Sequence, residues 1–196
     1  VQIYQSFEWS RQVLPDETLT LSCELDQIRK ESKGFVSDFL CEIRSGEQIV
    51  WQGISRYLSR TPGGPKKKKE KTEDIHLEKL ETFQIQSNIG RQYASVSGDF
   101  NPHHLYPVLA KIFGFKTAIA HGMWSLARCV GSLDKTFDIK EKGRIEVWFK
   151  LPVFLPATVT LGVEKKSDTE DDSKRIEFEL RDSTAGLPPL KGQLYT

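Results

Sequence analysis

The sequence predicts an α+β domain in which an antiparallel sheet wraps around one long buried helix. Three observations carry this. The segment Gly122 to Leu133 holds Met123, Trp124, Leu126, Ala127, Cys129, Val130 and Leu133. Those apolar positions run almost all the way round a helix, which predicts burial on every side. Everything after the segment reads as strands, in "RIEVWFKLPVFLP", "ATVTLGVEKK", "RIEFELRD" and "LKGQLYT". Residues 1–60 read as strands too.

In "TLTLSCEL", Leu19, Leu21, Cys23 and Leu25 alternate on one side, the period of two of a half-buried strand. "GFVSDFLCEIRSGEQIVWQGISRYLSR" is two apolar runs joined at Ser45-Gly46, a hairpin signal. "TPGGPKKKKEKTED" follows. Its Pro and Gly break any element and its lysines repel one another, so residues 61–75 are expected to be a flexible, solvated linker. The competing reading of Lys66 to Lys69 is a docking site for an acidic carrier or for phosphate groups. The chain thus divides into residues 1–60, the linker 61–75 and residues 76–196. A strand is expected around Phe83 to Ile85, then a short helix capped near Ser87. "LYPVLAKIFGF" predicts a second short helix that Gly114 ends. The buried helix from Gly122 is then about 18 Å long, at roughly 1.5 Å per residue.

Composition excludes some classes. At 196 residues the chain fits one large domain or two small ones. A net charge of +1 gives no global pull toward nucleic acid or a membrane surface. No apolar run reaches the roughly 18 residues a membrane span needs. "VQIYQSFEW" has neither the basic nor the apolar region of a signal peptide; it lacks an initiator Met, so residues upstream of Val1 are expected. Cys23, Cys41 and Cys129 lie far apart in apolar-looking segments. Their odd number predicts reduced core thiols and an intracellular, cytoplasmic protein.

The chemistry concentrates in "VSGDFNPHHLYPVLAKIFGFKTAIAHGMWSLARCVGSL". Gly122 opens the buried helix, and the first N–H groups of a helix have no partner inside it. With the positive end of the helix dipole they point at whatever lies in front, and a carbonyl placed there is stabilised as negative charge develops on it. Asp99 and His104 lie just upstream with Asn101-Pro102 between them. Pro102 keeps Asn101 out of helical geometry, so a bent loop can turn the carboxylate and the imidazole the same way. Sharing one water, such a pair supplies an acceptor and a donor. The bland alternative is a turn, since Asn, Asp and Pro are turn residues. His121 reads either as a hydrogen-bonding residue at the helix entry or as a ligand contact. Asp99, His103, His104 and His121 also invite a metal reading, but no HExxH or Cys-pair spacing accompanies them, and no metal is expected. Trp124 and Trp148 are expected in the core.

"YASVSGDFNPHH" followed by "AKIFGFKTAIAHGMW" resembles the signature of the MaoC-like (R)-specific enoyl-CoA hydratases, or hydratase 2. Tyr93, Ala94, Ser97, Gly98, Asp99, Asn101, Pro102, His104, Ala110, Gly114, Phe115 and Ile119 to Met123 fall on the pattern. The resemblance implies a hot-dog fold, with Asp99 and His104 as the catalytic pair holding water and Asn101 as their orienter. It implies the Gly122 N–H as donor to a thioester carbonyl, with Ser97, Gly98, His121 and Met123 near the substrate. "FKLPVFLPATVTL" resembles the strand-turn-strand that follows the helix in the family. His103 departs from the pattern, standing where the family carries an aliphatic residue, so it is expected either to replace a core contact or to face solvent. Residues 1–60 resemble the strands of a second hot-dog without a catalytic motif, which suggests a double hot-dog with an incomplete or degenerate first half paired to the active half as in a homodimer. A homodimer of the whole is a further level of assembly that the resemblance leaves open. The implied reaction is reversible hydration of trans-2-enoyl thioesters to (3R)-3-hydroxyacyl thioesters in fatty acid metabolism. Coenzyme A or acyl carrier pantetheine is then part of the substrate, with no separate cofactor. The alternatives are a 3-hydroxyacyl dehydratase acting on the acyl carrier protein, a hot-dog thioesterase and a non-catalytic acyl-binding protein.

Overall fold

The structure is a computed structural model that describes residues 1–61, 77–139, 141–167, 174–182 and 188–196. The expected linker, apart from Thr61, and with it the run Lys66 to Lys69, lies outside the described residues. Four strands come first: β1 (Gln2–Trp9), β2 (Leu19–Glu31), β3 (Gly34–Ser45) and β4 (Gln48–Arg60), with β3 and β4 closing at the expected Ser45-Gly46 turn. There follow β5 (Glu78–Ile85), α1 (Ile89–Ser97), α2 (Pro102–Leu105), α3 (Pro107–Ile112) and α4 (Gly122–Phe137). The last four strands are β6 (Gly143–Phe149), β7 (Ala157–Ser167), β8 (Lys174–Asp182) and β9 (Leu190–Tyr195).

Three boundaries differ from expectation. Asn88, not Ser87, precedes α1, and its side chain makes no capping bond. The expected second short helix is α3, and a further helix, α2, forms ahead of it where a bent loop was expected; Pro107 separates the two by holding Tyr106 extended at φ −142° and ψ 141°, the conformation favoured before proline. α4 runs to Phe137, 16 residues or about 24 Å.

Among the described residues the strands form one nine-stranded antiparallel sheet in the order β2-β3-β4-β1-β6-β9-β8-β7-β5. Pairing of β1 with β6, Phe7 opposite Ile145 and Gln5 opposite Val147, joins the two halves. Outward from that seam each half lays its strands first, fourth, third, second. The second half adds β5 at its edge and α4 on its face. Ile145, Val147, Leu161, Phe178, Leu180, Leu190 and Leu194 of the sheet pack with Leu126, Cys129 and Leu133 of α4. Each such side chain is worth about 1.5–3 kcal/mol of transfer free energy. This is the expected hot-dog arrangement, a sheet wrapped around a helix.

The helix is not buried on every side, however. Ser125, Leu126, Cys129, Ser132 and Leu133 are buried, while Ala127, Gly131, Asp134 and Lys135 are exposed. The sheet embraces α4 from one side only, and small Ala127 and Gly131 lose little by standing in the open. Trp124 is half-buried against the core. Trp148 is outside it: neighbours along β6 point to opposite faces, so it leaves the α4 face to Val147 and packs at a tilt against Tyr4, with ring centroids 5.5 Å apart.

The strand alternation in β2 also lies in the open. Leu21 is 72 % exposed and Leu25 50 %, because α4 packs on the second half and leaves this continuation of the sheet face uncovered. Cys23, expected in the core, is exposed for the same reason. The opposite face of the first half is tied by charge. Asp38 on β3 is buried and accepts hydrogen bonds from Arg56 on β4 at 2.7 and 2.8 Å and from Arg29 on β2 at 2.9 Å. The Arg56 guanidinium holds its carboxyl below the usual carboxylate range. Removing one partner of a buried ion pair costs roughly 3–5 kcal/mol. These arginines keep contact with water, so Asp38→Ala is expected to cost less, about 2–3 kcal/mol, read as a lowered urea midpoint. No helix among the described residues is long and apolar enough to cross a membrane.

Candidate active site

The loop between α1 and α4 builds the site. α1 ends at Gly98, whose N–H still bonds the Ala94 carbonyl at 2.9 Å and whose left-handed φ of 73° turns the chain sharply away from the helix. Asp99 leaves this turn with its N–H bonded to Ser97 Oγ at 3.2 Å. Its Oδ1 accepts both the backbone N–H of Asn101, at 3.1 Å, and the Asn101 side-chain amide, at 2.5 Å. Those two bonds fix the carboxylate's rotation and leave Oδ2 directed at two imidazoles, 4.0 Å from His104 Nε2 and 3.7 Å from His121 Nε2.

Pro102 starts α2, and one turn places His104 in the interior, with its N–H on the Asn101 carbonyl at 3.0 Å. His104 Nδ1 lies 2.8 Å from the Ile119 carbonyl. A carbonyl only accepts, so Nδ1 carries the proton and Nε2 presents a lone pair toward Asp99. Burial pushes the imidazole pKa down to about 4 against the pull of that hydrogen bond. The ring is therefore a neutral acceptor at neutral pH.

His121 stands at the N-cap position of α4 without a side-chain cap bond, and its hydrogen bond at the helix entry goes elsewhere: its Nε2–H donates to the Asp99 carbonyl at 3.0 Å. Its ring stacks on His104 with centroids 3.7 Å apart, and Tyr93 covers it at 5.0 Å. His121 thus grips the backbone of one member of the pair and the ring of the other. Asp99, His104 and His121 hold their ligand atoms within 4.8 Å of one another. To join a cation there through Nε2, His121 would have to give up the proton it donates to Asp99. His103 is half-buried outside the core: its ring packs by the exposed Phe113 and the half-buried Phe115 at 5.8 and 5.5 Å, and burial lowers its pKa.

Directly after His121, the N–H groups of Gly122, Met123 and Trp124 form the first turn of α4, and intrahelical bonding begins with Ser125 N–H to His121 O at 3.1 Å. Gly122 is thereby held beside the stacked imidazoles. A β-carbon on Gly122 would meet the Phe149 ring at 3.0 and 3.1 Å rather than open space, so Gly122→Ala would disturb that ring together with the N–H. Met123 packs against the core.

Two positioning groups escape sequence reasoning. The Ile119 carbonyl, which sets the His104 tautomer, is left free to face it because the bridge of Ile119 to Phe154 is bonded through Ala120 N–H to the Val153 carbonyl and Leu155 N–H to the Ala118 carbonyl. Gly90 of α1 lies so close to α2 that a β-carbon there would fall 1.9 Å from the His104 carbonyl oxygen. Neither leaves a side-chain signature, although a glycine inside a helix is a hint of close approach.

The profile of the "MaoC like domain" family matches residues 65–186. Among curated proteins, the chain is 29% identical over 187 residues to 3-hydroxyacyl-thioester dehydratase X of Mycobacterium tuberculosis, covering 92% of this chain and 62% of that protein. It is 39% identical over 83 residues to the (R)-specific enoyl-CoA hydratase of Aeromonas caviae, covering 40% of this chain and 60% of that protein. The chain therefore spans about three fifths of the length of these relatives. Among solved structures, HtdX from Mycobacterium tuberculosis superposes with a TM-score of 0.81 at 26% identity, covering 100% of this chain and 76% of that one. The MaoC-like dehydratase from Phytophthora capsici superposes with a TM-score of 0.82 at 23% identity, covering 100% and 68%, a likeness of fold.

Proposed function

The chain belongs to the MaoC-like domain family, and from that premise we propose that it is a hydro-lyase for the reversible hydration of trans-2-enoyl thioesters to (3R)-3-hydroxyacyl thioesters. The observation that carries the reading is the 4.0 Å separation of Asp99 Oδ2 and His104 Nε2. Both atoms are acceptors, and a water between them can donate one hydrogen bond to each. His104 Nε2 takes a proton from that water as its oxygen attacks C3, and delivers the proton to the α-carbon. Asp99 orients the water and stabilises the transient imidazolium. The Gly122 N–H stabilises the thioester oxygen while it carries enolate charge, a contribution worth about 10²–10³ in rate where one such donor has been removed. Asn101 locks the Asp99 rotamer. The substrate is an acyl thioester of coenzyme A or of acyl carrier pantetheine. Only water and a proton move, so the reaction calls for no redox cofactor. The two halves of the sheet act as a pseudo-dimer.

The pH dependence follows from His104. Its folded pKa of about 4 lies below the ordinary 6.5, so protonation removes the acceptor only in acid. kcat/KM for hydration should be insensitive to this group near neutrality and fall as pH drops through about 4. The unfolded chain binds this proton more readily, so the group's stability contribution is present above pH 6.5 and is lost as pH falls toward 4. A kinetic limb near 6.5 in wild type would mean that the catalytic imidazole is solvated.

The reading is tested by following loss of enoyl absorbance with crotonyl-CoA beside a longer trans-2-enoyl-CoA. Hydration of at least one is expected. Loss of absorbance matched by an equal release of free thiol would make the protein a thioesterase, and no loss with either substrate would overturn the reading.

A further inference from the structure

Cys23 and Cys41 stand outside the site, and the proposed reaction does not use them. They are directly opposite each other in the antiparallel pair β2–β3, with their Sγ atoms 3.0 Å apart. Directly opposed residues in such a pair have Cα atoms about 4.5–5.5 Å apart, inside the roughly 4.4–6.8 Å a disulfide spans. β2 is an edge strand and Cys23 is exposed, whereas Cys129 is buried among core side chains. The pair shares the uncovered sheet face with Tyr57 of β4, which lies within the electrostatic reach of Cys41, Asp99 and Cys23.

We propose that Cys23 and Cys41 are an oxidation site, at which a small disulfide such as oxidised glutathione converts two thiols into a reversible cross-link between β2 and β3. The exposed Cys23 sulfur attacks one sulfur of the small disulfide, releasing one thiol and leaving a mixed disulfide. Cys41 then attacks the Cys23 sulfur and expels the second thiol. Two protein thiols are oxidised, one small disulfide is reduced, and the protein's two protons end on the released thiols. Burial first, and then the bond to Cys23, push the Cys41 thiol up to about 11, so the second step accelerates as pH rises. Cys129, pushed up to about 12 by burial and closed to solvent, stays reduced.

The test treats the native chain with oxidised glutathione, then blocks free thiols in denaturant and maps the peptides by mass. The expected result is one intramolecular cross-link between the Cys23 and Cys41 peptides, with Cys129 blocked as a free thiol. Closing the hairpin loop should raise the melting temperature by roughly 5–10 °C, reversed by dithiothreitol and absent in C23S. A stable glutathione adduct without the cross-link, a bond through Cys129 or between chains, or a cross-link that lowers the melting temperature would overturn the proposal. The mapping on unsubstituted protein decides the matter even if C23S folds poorly.

Discussion

Asp99→Asn and His104→Ala are each expected to lower enoyl-thioester hydration by about 10²–10⁴, or about 3–5 kcal/mol of barrier. Each removes one of the two acceptors that bracket the water. The double variant should lose little more than the worse single one, because a water held at one end only is already misplaced. Circular dichroism separates this from unfolding: Asp99 is partly exposed and its replacement keeps its shape. His103→Ala should cost less than about tenfold, since that ring packs by Phe113 and Phe115. Near-wild-type turnover by either Asp99→Asn or His104→Ala would remove the pair from the mechanism.

Gly90→Ala is the second large effect. The new methyl would sit 1.9 Å from the His104 carbonyl oxygen, well inside contact distance, so α1 and α2 must separate. Forcing atoms into a packed contact costs roughly 1–3 kcal/mol of stability. The catalytic loss should be larger in proportion, about 10–10² in kcat, because a displacement near 1 Å can cost about 10². The expected signature is a melting temperature lowered by only a few degrees beside a kcat that has fallen steeply. If kcat instead tracks the folded fraction, α2 absorbs the methyl without moving the imidazole and Gly90 is a packing residue only.

Much of this was legible because the site is local in sequence. Asp99, Asn101, Pro102 and His104 meet through one tight turn and one turn of helix, geometry that Asn, Pro and Gly dictate within a few residues. The helix from Gly122 was legible from its apolar pattern, but not its exposed side, since a pattern tells what can be buried and not what arrives to cover it. The same reason misplaced Leu21, Leu25 and Cys23: their alternation marks one sheet face correctly, and α4 lies over the other half of that face. Gly90 against His104, the Ile119 carbonyl and the juxtaposition of Cys23 with Cys41 depend on backbone approach and strand register between distant segments. The role of His121 fell between the two, since its position before α4 was visible but its bond to the Asp99 carbonyl, 22 residues away, was not.

The most direct measurement follows one trans-2-enoyl-CoA through to product, with chiral chromatography of the hydroxyacyl thioester and a thiol reagent in the same reaction. A water held between Asp99 and His104, beside the Gly122 N–H, predicts (3R)-3-hydroxyacyl-CoA as product, no release of free coenzyme A above the uncatalysed rate, and loss of the product in Asp99→Asn. Free coenzyme A in step with enoyl consumption, or a (3S) product, would contradict it.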